Sequence, residues 1–214
     1  MLIQRKYKWM IALSFSFALL VSLTNCAPKP PTAQDSCGFS QNVYGQRQSW
    51  KGALPIMINA HSSVPAKYIP ALQAAIATWN KAAGKEVMRF GNSNVAGALA
   101  ATADRNNMVY WFTNAWDRPG IGEQARTNLY TIGADIREAD IRINAQEFAY
   151  FWRQQESSVG EVVEIETLFE HELGHVLGLA HASTGTSVMS PRLAYGQTRV
   201  EPTVADKTNL ACEY

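Results

Sequence analysis

A charge imbalance is missing from this chain: nineteen Lys and Arg stand against eighteen Asp and Glu in 214 residues. No basic stripe runs along it, so no nucleic-acid partner is expected. No Gly-Lys-Ser/Thr follows the glycines of the 91–97 segment, which reads as a loop and not as a phosphate cradle. EF-hand spacing is absent, although calcium held by Asp and backbone oxygens remains open. There is no internal repeat. Cysteines number three, Cys26, Cys37 and Cys212, and histidines four. Three of the four histidines sit in one short segment. Only His61 lies elsewhere, so a second histidine-rich metal site has no ligands to draw on.

What is present is concentrated in that segment. His171-Glu172-Leu173-Gly174-His175 is followed by Gly178 and His181. On a helix, residues four apart share one face, so His171 and His175 can bind one zinc ion. Glu172, beside the first ligand, can act as general base on a zinc-activated water. Gly178 comes where a helix can end in a left-handed residue and turn back, bringing His181 round as third ligand. Three protein ligands and one open position are the arrangement of catalytic zinc, not of a closed structural site.

These residues resemble the extended zinc motif of the metzincin metallopeptidases, most closely the matrixin (matrix metalloprotease-like) branch in a small bacterial form. The resemblance spans roughly 50–212 and is strongest over 165–191. It implies an α/β (α+β) catalytic domain with a twisted mixed sheet, a long helix in its N-terminal half, a zinc-site helix, a Met-turn and a C-terminal helix. It also implies one catalytic Zn2+, a protein or peptide substrate and a monomer. Met189, in Ser187-Val188-Met189-Ser190-Pro191, takes the Met-turn position. Pro191 and Leu193 take positions on the wall of the substrate pocket. Leu193 stands where the family carries Tyr, which alters the pocket shape. Neither a long pro-segment nor the zinc-blocking cysteine stretch of latent matrixins is evident, and the surroundings of Cys37 do not match one. The activity implied is zinc-dependent endopeptidase; the alternative is a noncatalytic surface lipoprotein in which zinc only stabilises the fold.

The N-terminus bears on location. Arg5, Lys6 and Lys8 precede an apolar run from Trp9 to Leu23, short for a membrane span and normal for a signal peptide. Leu23-Thr24-Asn25-Cys26 resembles a bacterial lipoprotein cleavage site, with Asn25 a departure from the usual small residue. The expected organisation is a signal peptide over 1–25, a lipidated Cys26 with a Pro-rich tether and N-terminal segment over 26–49, and the catalytic domain over 50–214. This implies an outer-membrane or cell-surface lipoprotein anchored to the membrane by lipid, with a periplasmic or secreted protein as alternative. Loss of the leader leaves a net charge of about −2. If Cys26 carries lipid, Cys37 and Cys212 remain as an even pair. A disulfide between them would join the two ends of the domain without touching the zinc; two free thiols are the alternative.

Periodicity predicts strands over 54–59, 87–90 and 108–112, and one closing the 133–144 segment. It predicts a helix over 64–83 whose true start lies near Pro70 and whose stop is Gly84. The 148–152 segment reads as a short aromatic strand or cleft-lining turn. Residues 164–179 read as the zinc helix, and 202–212 as a final helix with Pro202 near its first turn and Asp206 on its surface or near the zinc subdomain. Asp140 reads as a strand-end or loop carboxylate, with ion binding as the alternative.

Overall fold

A computed structural model describes residues 34–52, 54–154, 156, 159–183 and 185–214. The expected signal sequence, Cys26 and most of the tether lie outside the described residues.

Five strands form one mixed sheet: β1 (Ile56–Ala60), β2 (Met88–Phe90), β3 (Met108–Phe112), β4 (Ala125–Ile132) and β5 (Asp135–Asn144), in the order β2-β1-β3-β5-β4. The first four in that order pair in parallel. Strand β4 returns antiparallel to β5 and forms the edge. Two short strands, β6 (Ala149–Phe151) and β7 (Val162–Glu164), pair in parallel beside it. The helices are α1 (Ile69–Ala83), α2 (Ile165–Val176) and α3 (Val204–Leu210). This is the mixed α/β architecture expected from the sequence.

Local chemistry sets these boundaries. Helix α1 begins at Ile69–Pro70, where a proline has no amide hydrogen to lose, and ends on Gly84 with φ +66°. Its buried face, Leu72, Ala75, Ile76 and Trp79, packs on α2, and Trp79 Nε1 donates to the Glu170 carbonyl at 2.8 Å. Strand β3 is buried on both faces. Val109 and Trp111 join the main core, whereas Met108, Tyr110 and Phe112 pack with Trp116 in a second cluster.

Several expectations need correction. Strand β1 starts at Ile56, after a cis Leu54–Pro55 bond, and not at Leu54. Helix α2 is shorter than 164–179, because Glu164 is its N-cap and Leu177 its C-cap. Helix α3 starts after Pro202: Thr203 is the N-cap, in a reciprocal capping box with Asp206. Asp206 is buried and not on the surface; it takes the other expected position, beside the turn that carries Met189, where it accepts from Ser187 Oγ at 2.6 Å. Asp140 lies inside β5 and is fully buried, not at a strand end. The 148–152 segment does contain a strand, but its partner β7 carried no sequence signal of its own.

Residues 37–50 pack into the domain. Phe39 is in the core, and Cys37 is joined to Cys212 by a disulfide. Backbone bonds run from Ser40 N to the Gly178 carbonyl and from Ala180 N to the Gly38 carbonyl. The bridged segment therefore abuts the chain leading to His181, closer to the metal-binding residues than the sequence reading implied.

Candidate metal centre and cleft

Helix α2 places His171, Glu172 and His175. Its N-terminus is held by the Glu164 carboxylate, which accepts from Thr167 N and Thr167 Oγ1, each at 2.7 Å. At the other end Trp50 Nε1 donates to the Val176 carbonyl (2.8 Å) and Tyr214 Oη to that of Leu177 (2.7 Å). These bonds satisfy carbonyls that a helix end leaves open.

The turn that brings back His181 is a Schellman motif. Leu179 N bonds the Gly174 carbonyl and Gly178 N that of His175. Gly178 has φ +98°, and a Cβ there would lie 2.1 Å from the Gln48 carbonyl oxygen. Only glycine fits. The chain then offers His181, fixed by the bond from Ala182 N to the Met189 carbonyl at 2.9 Å.

Met189 is buried under the helix in a turn closed by Ser190 N to Ser187 O. A Cβ on Gly174 would meet Met189 Sδ at 2.2 Å, so the thioether packs where the helix lacks a side chain. Ser187 Oγ accepts from Met189 N at 2.9 Å and donates to Asp206 Oδ1 at 2.6 Å. Arg199 donates to the carbonyls of Gly185, Ser187, Ser190 and Arg192. Helix α3 and Arg199 thus hold the turn in place.

The three imidazoles converge. His171 Nε2 lies 3.1 Å from His175 Nε2 and 3.3 Å from His181 Nε2. His171 Nδ1 faces the Val188 carbonyl at 2.8 Å and His175 Nδ1 the Leu179 carbonyl at 2.7 Å. A carbonyl only accepts, so each Nδ1 carries the hydrogen and each Nε2 of this pair presents a lone pair. Burial, and then the neighbouring His175, hold His171 neutral, its pKa pulled down to about 3. Lone pairs facing one another at this range call for a cation between them. Two 2.0–2.1 Å bonds at a tetrahedral angle separate their nitrogens by roughly 3.3 Å. The donor set therefore fits zinc. Among the described residues it is the one cluster of three or more His, Cys, Asp or Glu donors within 4.8 Å. His61 lies apart, its ring between Ser63 and the Gly97 carbonyl.

The trio opens onto a cleft of about 860 Å³. Glu172, Pro191 and Leu193 all line it, as do Thr127 on β4, Leu168 on α2, and Arg199. Burial pushes the Glu172 carboxyl above its ordinary range, while His175 and a hydrogen bond from Thr127 oppose that shift. Thr127, Arg199, Ser187 and Asp206 were not singled out for these roles by sequence reasoning. Only Asp206 left a local trace, in the Thr-x-x-Asp spacing of its capping box.

Comparison with known proteins agrees with this geometry. Residues 112–214 match the family model described as Matrixin. A stretch of 57 residues is 41% identical to Metalloendoproteinase 2-MMP of Arabidopsis thaliana, covering 27% of this chain and 15% of that relative.

Proposed function

We propose that the chain is a matrixin-type zinc-dependent endopeptidase with Glu172 as its general base, a reading supported by the Matrixin match over residues 112–214 and by the three-histidine metal-binding cluster. The observation that carries the reading is the shared cleft: His171, His175 and the buried Glu172 carboxyl on helix α2, with His181 from the turn beyond it, facing an edge strand. A site that only stabilised the fold has no use for that carboxyl.

Zinc bound at the three imidazoles supplies a Lewis acid that polarises a carbonyl and lowers the pKa of water. Glu172 takes a proton from the attacking water as its oxygen bonds to the peptide carbon. The same carboxyl then passes that proton to the leaving nitrogen as the carbon–nitrogen bond breaks. Burial, which raises the pKa of the Glu172 carboxyl, favours its uptake of the proton. Strand β4, at the edge of the sheet, offers backbone groups along which an extended substrate can lie. Ala125, Arg126, Thr127 and Leu129 of this strand line the cleft.

The protein is proposed to be exported and anchored by lipid on Cys26 at an outer membrane or cell surface, with periplasmic or secreted forms as alternatives. The Cys37–Cys212 disulfide supports an oxidising compartment. Mass spectrometry of the mature N-terminus tests the anchor: an unmodified Cys26, or a start beyond it, removes that part of the proposal.

The peptidase reading is tested by metal removal. A chelator is expected to abolish cleavage of an unfolded protein substrate, and stoichiometric zinc to restore it. Cleavage that persists in metal-free protein contradicts it.

A further inference from the structure

Gln124 joins two walls of the cleft. It directly precedes edge strand β4, and its Nε2 donates to the Leu193 carbonyl at 3.0 Å. Both residues line the cleft. One belongs to the strand wall and the other to the segment that follows Met189, so the bond ties the two together at the end where β4 begins.

The backbone is pinned on both sides of this bond. The Gln124 carbonyl accepts from Asn144 N and from Tyr150 Oη, each at 2.9 Å. Asn144 Nδ2 also donates to the Glu123 carbonyl at 2.9 Å. Asn144 and Tyr150 are themselves buried. On the opposite wall Arg199 Nη2 donates to the Arg192 carbonyl at 2.7 Å, and Gly196 N to that of Val162 at 2.9 Å. The group left to move is the half-buried Gln124 side chain.

Position along the strand gives the distance from the chemistry. Thr127, which bonds Glu172, marks the level of the reacting atoms. Gln124 lies three residues before it, about 10 Å away at the rise of an extended chain. A substrate lying along β4 therefore runs about three residues past the cleaved bond before it meets the crossing. To run further it must break the Gln124–Leu193 bond and turn the side chain aside.

Resting on the peptidase reading, we propose that Gln124 is a specificity-determining residue: its side chain latches one end of the cleft and favours substrates that end within about three residues of the cleaved bond on that side. Longer chains are still accepted, but only with the latch displaced.

The test uses the zinc-loaded protein and peptides with one common cleaved core, capped at both ends to remove terminal charge. They are lengthened one residue at a time, first on one side of the cleaved bond and then on the other. On one side kcat/KM is expected to drop about fivefold once the chain passes roughly the third residue. On the other side no such step is expected. Gln124→Ala removes the latch, and Gln124→Glu keeps its size but cannot donate to a carbonyl. Each should raise the long-to-short ratio by about the same factor. Taking a ratio on one protein cancels any general loss from a loosened fold. If Gln124→Ala does not fold, the wild-type step and Gln124→Glu still decide. Binding of the same peptides to Glu172→Gln, read by fluorescence anisotropy, gives the length dependence without turnover. A length step in binding with no cleavage by wild type would sink the peptidase reading and leave the latch standing. Rates and binding without a step on either side, or a step unmoved by Gln124→Glu, overturn the proposal.

Discussion

Thr127 Oγ1 donates a 2.6 Å hydrogen bond to Glu172 Oε2, tying edge strand β4 to helix α2 across the cleft. The bond fixes the carboxyl of the proposed base and favours its charged form. Thr127→Val removes the donor at nearly constant volume. Hydrogen bonds to charged groups contribute about 1.5–3 kcal/mol, so kcat/KM is expected to fall roughly tenfold or more with zinc content unchanged. Thr127→Ser should restore most of it. Steady-state kinetics beside elemental analysis checks both; a Thr127→Val variant as active as wild type assigns Glu172 its orientation from elsewhere.

Gly178 is held at φ +98° with its missing Cβ aimed at the Gln48 carbonyl. Gly178→Ala must move the turn that delivers His181. The expected outcome is weaker zinc binding, by at least about tenfold, with His171 and His175 still in place on the helix. Competition with a chromophoric chelator measures it. Unchanged affinity would show that the turn does not position the third ligand.

Removing the Cys37–Cys212 disulfide with paired Cys→Ser substitutions frees a loop of sequence separation 175. Unfolding free energy is expected to drop by about 2–4 kcal/mol. The bridged segment bonds Gly178 and Ala180, so metal affinity should fall with it, more than a purely terminal staple would cause. Denaturant titration of zinc-loaded and zinc-free protein separates the two effects.

Asp140 predicts a pH dependence of stability. Burial pushes its carboxyl up to about 7, with the Met108 amide opposing. Both states are protonated below the unfolded pKa near 4. Between about pH 4 and 7 the unfolded chain releases a proton that the folded chain keeps, so stability falls as pH rises and levels off above 7. Asp140→Asn retains an acceptor for Met108 N and removes this loss. The variant should gain relative to wild type by up to about 2–4 kcal/mol between pH 4 and 8. Denaturation midpoints across that range test the trend; parallel curves would refute it.

How much of this was legible in the sequence follows from distance along the chain. His171, His175 and His181 lie within two helical turns and a Schellman turn, so local spacing and one glycine sufficed. Trp79, Leu72 and Gly84 likewise announced α1 by period and stop signal. Thr127 meets Glu172 across 45 positions, and Arg199 gathers carbonyls from a separate turn. No period or motif encodes such contacts. Strand β4, half-buried along most of its length, shows no clean alternation to read. Asp140 looked like a loop carboxylate because burying one inside a strand runs against its ordinary preference.

The most direct measurement compares wild type with Glu172→Gln on an unfolded protein substrate, with one zinc per chain verified in both by elemental analysis. Glu172→Gln keeps the shape and the metal ligands but cannot accept the proton. The account predicts efficient cleavage by wild type and a loss of at least about a hundredfold in the variant. Equal cleavage by the two proteins, or none by zinc-loaded wild type, would contradict it.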